Sequence, residues 1–169
     1  MNTGKVDIIY GEKGTGKTAF AMGKALRALA RQKTVIVIEF LKGNQKPDYA
    51  SVLGRLEPEL KMFRFEKSDC YFDRLTEDEK REARMNIRNG IGYARKVLMT
   101  GECDLLVLDE VLGLLDQGII GRDELRMLLD CRDEADVILT GRVLPEHAEE
   151  LADRIEEIRI CPLKEDIED

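Results

Sequence analysis

Apolar runs alternate with helical periods along the chain. Val6–Tyr10 is a short apolar segment running into a glycine-rich loop, and it reads as a buried strand. Between residue 17 and about 31, Met22, Ala25, Leu26 and Leu29 recur at helical spacing. Residues 34–40 (TVIVIEF) predict a second strand, rich in β-branched side chains. Gly43, Pro47, Gly54 and Pro58 punctuate residues 42–58, a connecting region with some helical content, and residues 61–65 predict a weaker strand. Thr76 and Glu79 have the spacing of a capping box. The helix they open gathers Ala83, Ile87, Ile91, Ala94, Val97 and Leu98 on one face and stops near Gly101. Residues 104–109 (DLLVLD) form a continuous apolar strand, the pattern expected when helices cover both faces. Leu125, Leu128 and Leu129 mark a short helix, and residues 137–140 another strand. Pro145 suits the first position of a helix running to about Asp153, and residues 155–160 close the sheet at its edge. The sequence of elements predicts an α/β domain with a largely parallel sheet.

Length and composition narrow the class. A chain of 169 residues fits one domain with one sizeable core, expected over residues 1–163, followed by an acidic tail at 164–169. Hydrophobic residues make up 43% and charged residues 36%, a globular composition. The net charge of −7 argues against nucleic acid as a partner, since duplex binding rests on neutralising phosphates. The N-terminal residues lack the apolar stretch of a signal peptide, and no apolar run approaches the roughly 20 residues that cross a bilayer, so no membrane association is expected. Cys70, Cys103, Cys131 and Cys161 lie far apart without a C-x-x-C pair, which predicts reduced thiols in a cytoplasmic protein rather than a zinc site or disulfide framework.

The glycine-rich loop carries the chemistry. Gly11, Glu12, Lys13, Gly14, Thr15, Gly16, Lys17 and Thr18 satisfy G-x-x-x-x-G-K-[ST] between a strand and a helix. The glycines let the backbone wrap closely around phosphate oxygens, and successive N–H groups point inward as an anion nest. The first turn of the helix, at Lys17, Thr18 and Ala19, adds unpaired N–H groups and the positive end of its dipole. Lys17 supplies a mobile positive charge to the phosphates, and the Thr18 hydroxyl is placed for Mg²⁺ (or Mn²⁺). The loop therefore predicts a nucleoside triphosphate site within a three-layer phosphate-loop NTPase fold of the RecA-like kind, its mainly parallel sheet flanked by helices.

Asp109 and Glu110 follow the apolar strand at 105–108. At the carboxyl end of a strand beside a phosphate loop, one acid holds the metal directly or through water, and the second positions a water or is itself the ligand. Two acids at that place also suit the start of a following helix, where the dipole favours negative charge. The phosphate loop tips the reading toward metal, with Thr18, Asp109 and Glu110 as candidate ligands and Lys17 and Glu110 as candidate catalytic groups.

Five stretches in order, GTGKTAFAMGKALRA, VIVIEFLKG at 35–43, LLVLDEV at 105–111, VILTGR at 137–142 and LADRIEEIR at 151–159, resemble the phosphate-loop ATP:corrinoid adenosyltransferases, and the likeness spans roughly residues 5–160. The resemblance implies transfer of the 5′-deoxyadenosyl group from ATP to the cobalt(I) of a corrinoid, with triphosphate as the leaving group. It implies ATP as co-substrate with Mg²⁺, a corrinoid substrate, a flavodoxin-like or flavin reductase electron donor, and a cytoplasmic homodimer. It places Lys42 of EFLKG and Arg142 of LTGR near the nucleotide or corrinoid; ordinary strand-end turns with solvated charges are the alternative for both. The chain differs from the family's usual pattern at Thr15, commonly lysine, and at Ala19, commonly Ser or Thr. The family also commonly carries an N-terminal extension and a C-terminal segment rich in His, Phe, Asp, Gly and Lys, so the cover and rim of the site are expected to differ.

Two other functions use the same motifs: an ATP-binding regulatory switch, and a general ATPase with Glu110 orienting water. Fold alone does not choose among the three. His147, the sole histidine, reads as a solvated residue rather than a cobalt ligand, and the mixed charges at 77–84 as a solvated helix face. Phe63, Phe65, Tyr71 and Phe72 suit core packing or the wall of a macrocycle pocket.

Overall fold

The computed structural model describes residues 3–43 and 48–162. Pro47 and the acidic tail expected at 164–169 lie outside the described residues. Six strands form one sheet: β1 (Val6–Tyr10), β2 (Val35–Glu39), β3 (Leu60–Arg64), β4 (Leu105–Asp109), β5 (Asp136–Gly141) and β6 (Arg154–Glu157). Their order is β3-β2-β4-β5-β1-β6, and every pairing is parallel. The phosphate-loop strand β1 and the acid-bearing strand β4 are thus separated by β5.

Helices cover both faces because the strands are apolar at successive positions. Ile36 and Ile38 face one way, toward Ile87, Ile91 and Ala94 of α3 (Glu77–Thr100) and Leu125 and Leu128 of α5 (Arg122–Leu129). Val35 and Val37 face the other way, toward Ala21, Met22 and Ala25 of α1 (Lys17–Leu29). The period of two in each strand divides the interior into two cores on a shared sheet. This is the three-layer phosphate-loop architecture expected from the sequence.

The start of α3 follows the sequence closely. Thr76 accepts from the Glu79 N–H while the Glu79 carboxylate accepts from the Thr76 N–H, and Gly101 ends the helix in the left-handed region at φ +64°. In the region of residues 42–58, α2 (Ala50–Leu53) and a 3-10 turn at Gly54–Leu56 supply the helical content. A short helix, α4 (Val111–Asp116), begins directly after the two acids, where their alternative reading set a helix start, and Glu110 makes no side-chain cap hydrogen bond to it.

One expected element is corrected. Pro145 does not open a helix running to Asp153; only a 3-10 turn forms, at Ala148–Leu151. His147 stands before it at φ +59°, a conformation an α-helix cannot contain, and the chain must return quickly to enter β6. The closing strand is Arg154–Glu157, shorter than residues 155–160, and it is an edge strand paired with β1.

At the end of the sheet where strands begin, three aspartates seal backbone amides. Asp153 accepts from Val6 N at 2.7 Å, Asp136 from Lys5 N at 2.9 Å and Asp104 from Thr34 N at 2.7 Å. Each sits at the entry of one strand and holds the entry of another.

Candidate nucleotide and metal site

The site lies at the opposite end, where the strands finish, as open parallel sheets require. Gly11 leaves β1, and a Cβ there would lie 2.4 Å from the Ile158 carbonyl oxygen, so no larger residue fits. Gly14 and Gly16 have φ of +85° and +86°. Those values are open to glycine and strained for other residues, and they turn the loop onto the start of α1. The Thr15 hydroxyl donates to the Glu12 carbonyl at 2.9 Å and closes the loop. Glu12, Lys13, Gly14, Gly16 and Ala19 are exposed, whereas Lys17 is buried.

Lys17 reaches across to Glu110, Nζ to Oε1, at 3.0 Å. The Thr18 hydroxyl lies 3.2 Å from both Asp109 carboxylate oxygens. The Lys42 ammonium donates to Asp109, and lies 3.3 Å from the Thr18 oxygen and 3.5 Å from Glu39 Oε1. Burial alone would lower the Lys42 pKa, but the Asp109 and Glu39 carboxylates beside it outweigh burial and raise it. The expected site residues Lys17, Thr18, Lys42, Asp109 and Glu110 therefore meet in one cluster. Arg142 and Lys13 stand on the rim of the same cleft.

Four residues of the cluster were not expected from sequence. Glu39 ends β2 beside Asp109 in the β2–β4 register and beside Arg64 in the β2–β3 register. Arg64 Nε donates to it, and Glu39 is only 2% exposed. The signal was available: a charged residue closing a buried strand on the ligand side of a parallel sheet. Thr140, fully buried on β5, donates to Asp109 Oδ1 at 2.6 Å and accepts from the Glu110 N–H at 2.8 Å. It thereby fixes the acid and the sharp turn after it, where Glu110 sits at φ +62°. Glu66 accepts from Leu41 N at 2.6 Å and holds the turn that carries Lys42; nothing in the local pattern announces it.

The cleft above this cluster has a volume of about 680 Å³, within the range of small-molecule sites. Tyr71 and Phe72 line it, and Lys13 stands 5.5 Å from the Tyr71 ring centroid. Phe63 and Phe65 pack against Tyr93 of α3, and Phe72, only 6% exposed, belongs to the same core while bordering the cleft. His147 is solvated: its side chain is 57% exposed, with the Glu146 and Glu150 carboxylates each 3.4 Å from a ring nitrogen. The four cysteines are free, and burial pushes the Cys103 thiol up to about 12.

The donor set suits a hard cation. Thr18, Asp109 and Glu110 offer only oxygen, the preference of Mg²⁺ and Mn²⁺. Among the described residues no group of three or more His, Cys, Asp or Glu side chains is placed to hold a metal ion by itself. A metal in this cluster would draw further ligands from the nucleotide and water, the usual habit of Mg²⁺.

A parallel sheet, a glycine loop leading into a helix and an acid pair across one intervening strand define a phosphate-loop nucleotide-binding protein. The chain belongs to the ATP:corrinoid adenosyltransferase BtuR/CobO/CobP family, whose model matches residues 2–165. It is 28% identical over 153 residues to the corrinoid adenosyltransferase of Escherichia coli (strain K12), covering 90% of this chain and 75% of that protein. It is 27% identical over 153 residues to the corrinoid adenosyltransferase CobA of Salmonella typhimurium (strain LT2), with the same coverage. The chain is accordingly a transferase of that family, whose general activity is adenosyl transfer from ATP to a corrinoid. No helix among the described residues is long and apolar enough to cross a membrane.

Proposed function

We propose that this chain transfers the 5′-deoxyadenosyl group of ATP to the cobalt(I) of a corrinoid and releases intact triphosphate. Cobalt donates its electron pair to C5′ of the ribose, the C5′–O bond breaks, and that bond's electrons leave on the triphosphate oxygen. Cobalt ends formally as cobalt(III). The observation that carries this reading is the meeting of loop lysine, threonine and paired acids beneath a cleft with an aromatic wall at Tyr71 and Phe72.

In this reading the chain's residues act on the leaving group. The N–H groups of Gly14, Gly16, Lys17, Thr18 and Ala19 cradle the phosphates, and Lys17 moves its ammonium from Glu110 onto them as charge develops. Lys13 and Arg142 add positive charge from the rim, and Lys42 from within the cluster. A bound Mg²⁺ or Mn²⁺ would offset phosphate charge, held by Thr18 with Asp109 and Glu110. Cobalt(I) is a reduced state, so the reaction draws electrons from a separate flavodoxin-like or flavin reductase donor. A cytoplasmic homodimer belongs to the same reading.

Products test it. Protein, ATP, Mg²⁺ and chemically reduced cobalamin should yield light-sensitive adenosylcobalamin and one equivalent of triphosphate. Accumulation of ADP and phosphate without adenosylcobalamin would overturn the proposal in favour of hydrolysis. Lys17→Ala should weaken ATP binding at least about tenfold, the scale of one lost charge-assisted contact of about 1.5 kcal/mol or more. Unchanged affinity would remove the loop from the site.

A further inference from the structure

We infer that the Lys42 ammonium is a built-in occupant of the metal position, which a divalent ion takes only as Lys42 swings away. This rests on the reading of the cluster as a metal–nucleotide site. Three oxygen groups surround the ammonium: the Asp109 carboxylate in close contact, the Thr18 hydroxyl at 3.3 Å and the Glu39 carboxylate at 3.5 Å. Two of these, Thr18 and Asp109, are the groups a metal would use. A single point cation amid hard oxygens reproduces what a metal ion does there, with one charge instead of two.

The burial of the acids explains why a cation must stand there. Glu39 and Asp109 are neighbours across β2 and β4, with side chains each 1% exposed. Two carboxylates at that spacing repel strongly away from water. Arg64 answers Glu39 from the far side, and Lys42 stands between the pair. Taking Lys42 away leaves Asp109, among the described residues, with the hydroxyls of Thr18 and Thr140 as its side-chain partners, and draws another cation in.

The backbone around Lys42 is pinned, so the side chain is the moving part. Leu41 N is held by Glu66 at 2.6 Å. A Cβ on Gly43 would lie 2.6 Å from the Ser68 oxygen and 2.7 Å from the Cys70 oxygen, so the turn is seated on that segment without slack. Between these anchors the Lys42 side chain lies one-quarter exposed on the cleft wall. Four methylenes let its ammonium leave Asp109 for incoming phosphates while the turn stays in place. The exchange couples metal entry to nucleotide arrival: polyphosphate offers Lys42 a new partner and offers the metal its missing ligands.

Mn²⁺ binding followed by electron paramagnetic resonance tests this with wild type, Lys42→Met and Lys42→Arg, each with and without ATP. If Lys42 vacates the position in fewer than about one molecule in ten, the apparent metal affinity of wild type is weakened about tenfold. Without ATP, K42M should therefore bind Mn²⁺ at least about tenfold more tightly than wild type, and K42R should resemble wild type. Because loss of the charge exposes Asp109 to repulsion, K42M is also melted with and without Mn²⁺. The metal should raise its melting temperature more than that of wild type. Equal Mn²⁺ affinity of K42M and wild type, with wild type binding Mn²⁺–ATP normally, would overturn the Lys42 inference alone. Wild type that binds no ATP with Mn²⁺ would overturn the nucleotide reading and the inference with it.

Discussion

Replacing Glu66 with glutamine isolates one buried charge. Glu66 is 6% exposed, and burial pushes its carboxyl from 4.5 up to about 7, against the pull of the Leu41 and Lys42 N–H groups and the Arg64 guanidinium. The folded protein therefore holds this proton more tightly than the unfolded chain. Stability is fully present below about pH 4.5, falls as pH rises toward 7, and is level above that. The difference between 4.5 and about 7, at about 1.4 kcal/mol per tenfold change in proton affinity, is about 3–4 kcal/mol. Glutamine keeps an oxygen for Leu41 N and carries no charge at any pH. The stability of Glu66→Gln relative to wild type should rise by about 2–3 kcal/mol between pH 5 and 8. In a domain of this size that is about 4–12 °C in melting temperature. Paired thermal or urea unfolding series across that range measure it directly. A difference that stays flat with pH would refute the argument, showing that the backbone donors and Arg64 fully offset burial.

Thr140→Val should lower stability by about 1–3 kcal/mol, because Asp109 Oδ1 loses a buried donor and Glu110 N loses its acceptor. Thr140→Ser should recover most of the loss, and equal denaturant midpoints for valine and serine would show that the hydroxyl is immaterial. Gly141→Ala places a Cβ 2.5 Å from Leu112 Cβ and should cost about 1–3 kcal/mol in a melting experiment. Gly23→Ala, on the exposed side of α1 with nothing within 4 Å of the new Cβ, should instead stabilise by about 0.5–1 kcal/mol. Opposite signs for these two changes are the test; the same sign would contradict the packing described.

The sheet and its loop were legible in the sequence because their causes are local. Glycines at 11, 14 and 16, a β-branched run at 35–38 and an apolar run at 105–108 each specify their own conformation. The capping box of α3 was equally plain, since both partners lie within one turn. The helix expected after Pro145 failed because its proline was a local signal, whereas the return into β6 is a demand of topology. In the site, Lys17, Thr18, Asp109 and Glu110 could be read from a motif. Glu39, Arg64 and Thr140 could not be read as a group, because they meet only through the register of β3, β2, β4 and β5. Glu66 depends on a turn with Leu41 at φ +61°, which no spacing rule describes.

The three aspartates at the start of the sheet act on that register as a datum does in machining. Asp104, Asp136 and Asp153 each fix where one strand begins relative to another. Strands of five residues then carry the setting about 15 Å to the far end. There, Glu39 and Asp109 come level because Asp104 indexes their strands at the other end. A slip of β2 by one residue would bring Ile38 or Phe40 level with Asp109 in place of Glu39, and would turn its apolar side chains to the wrong layer. The charge pattern of the cleft is thus aligned by carboxylates that never approach a nucleotide, and an aspartate far from the chemistry can misalign it.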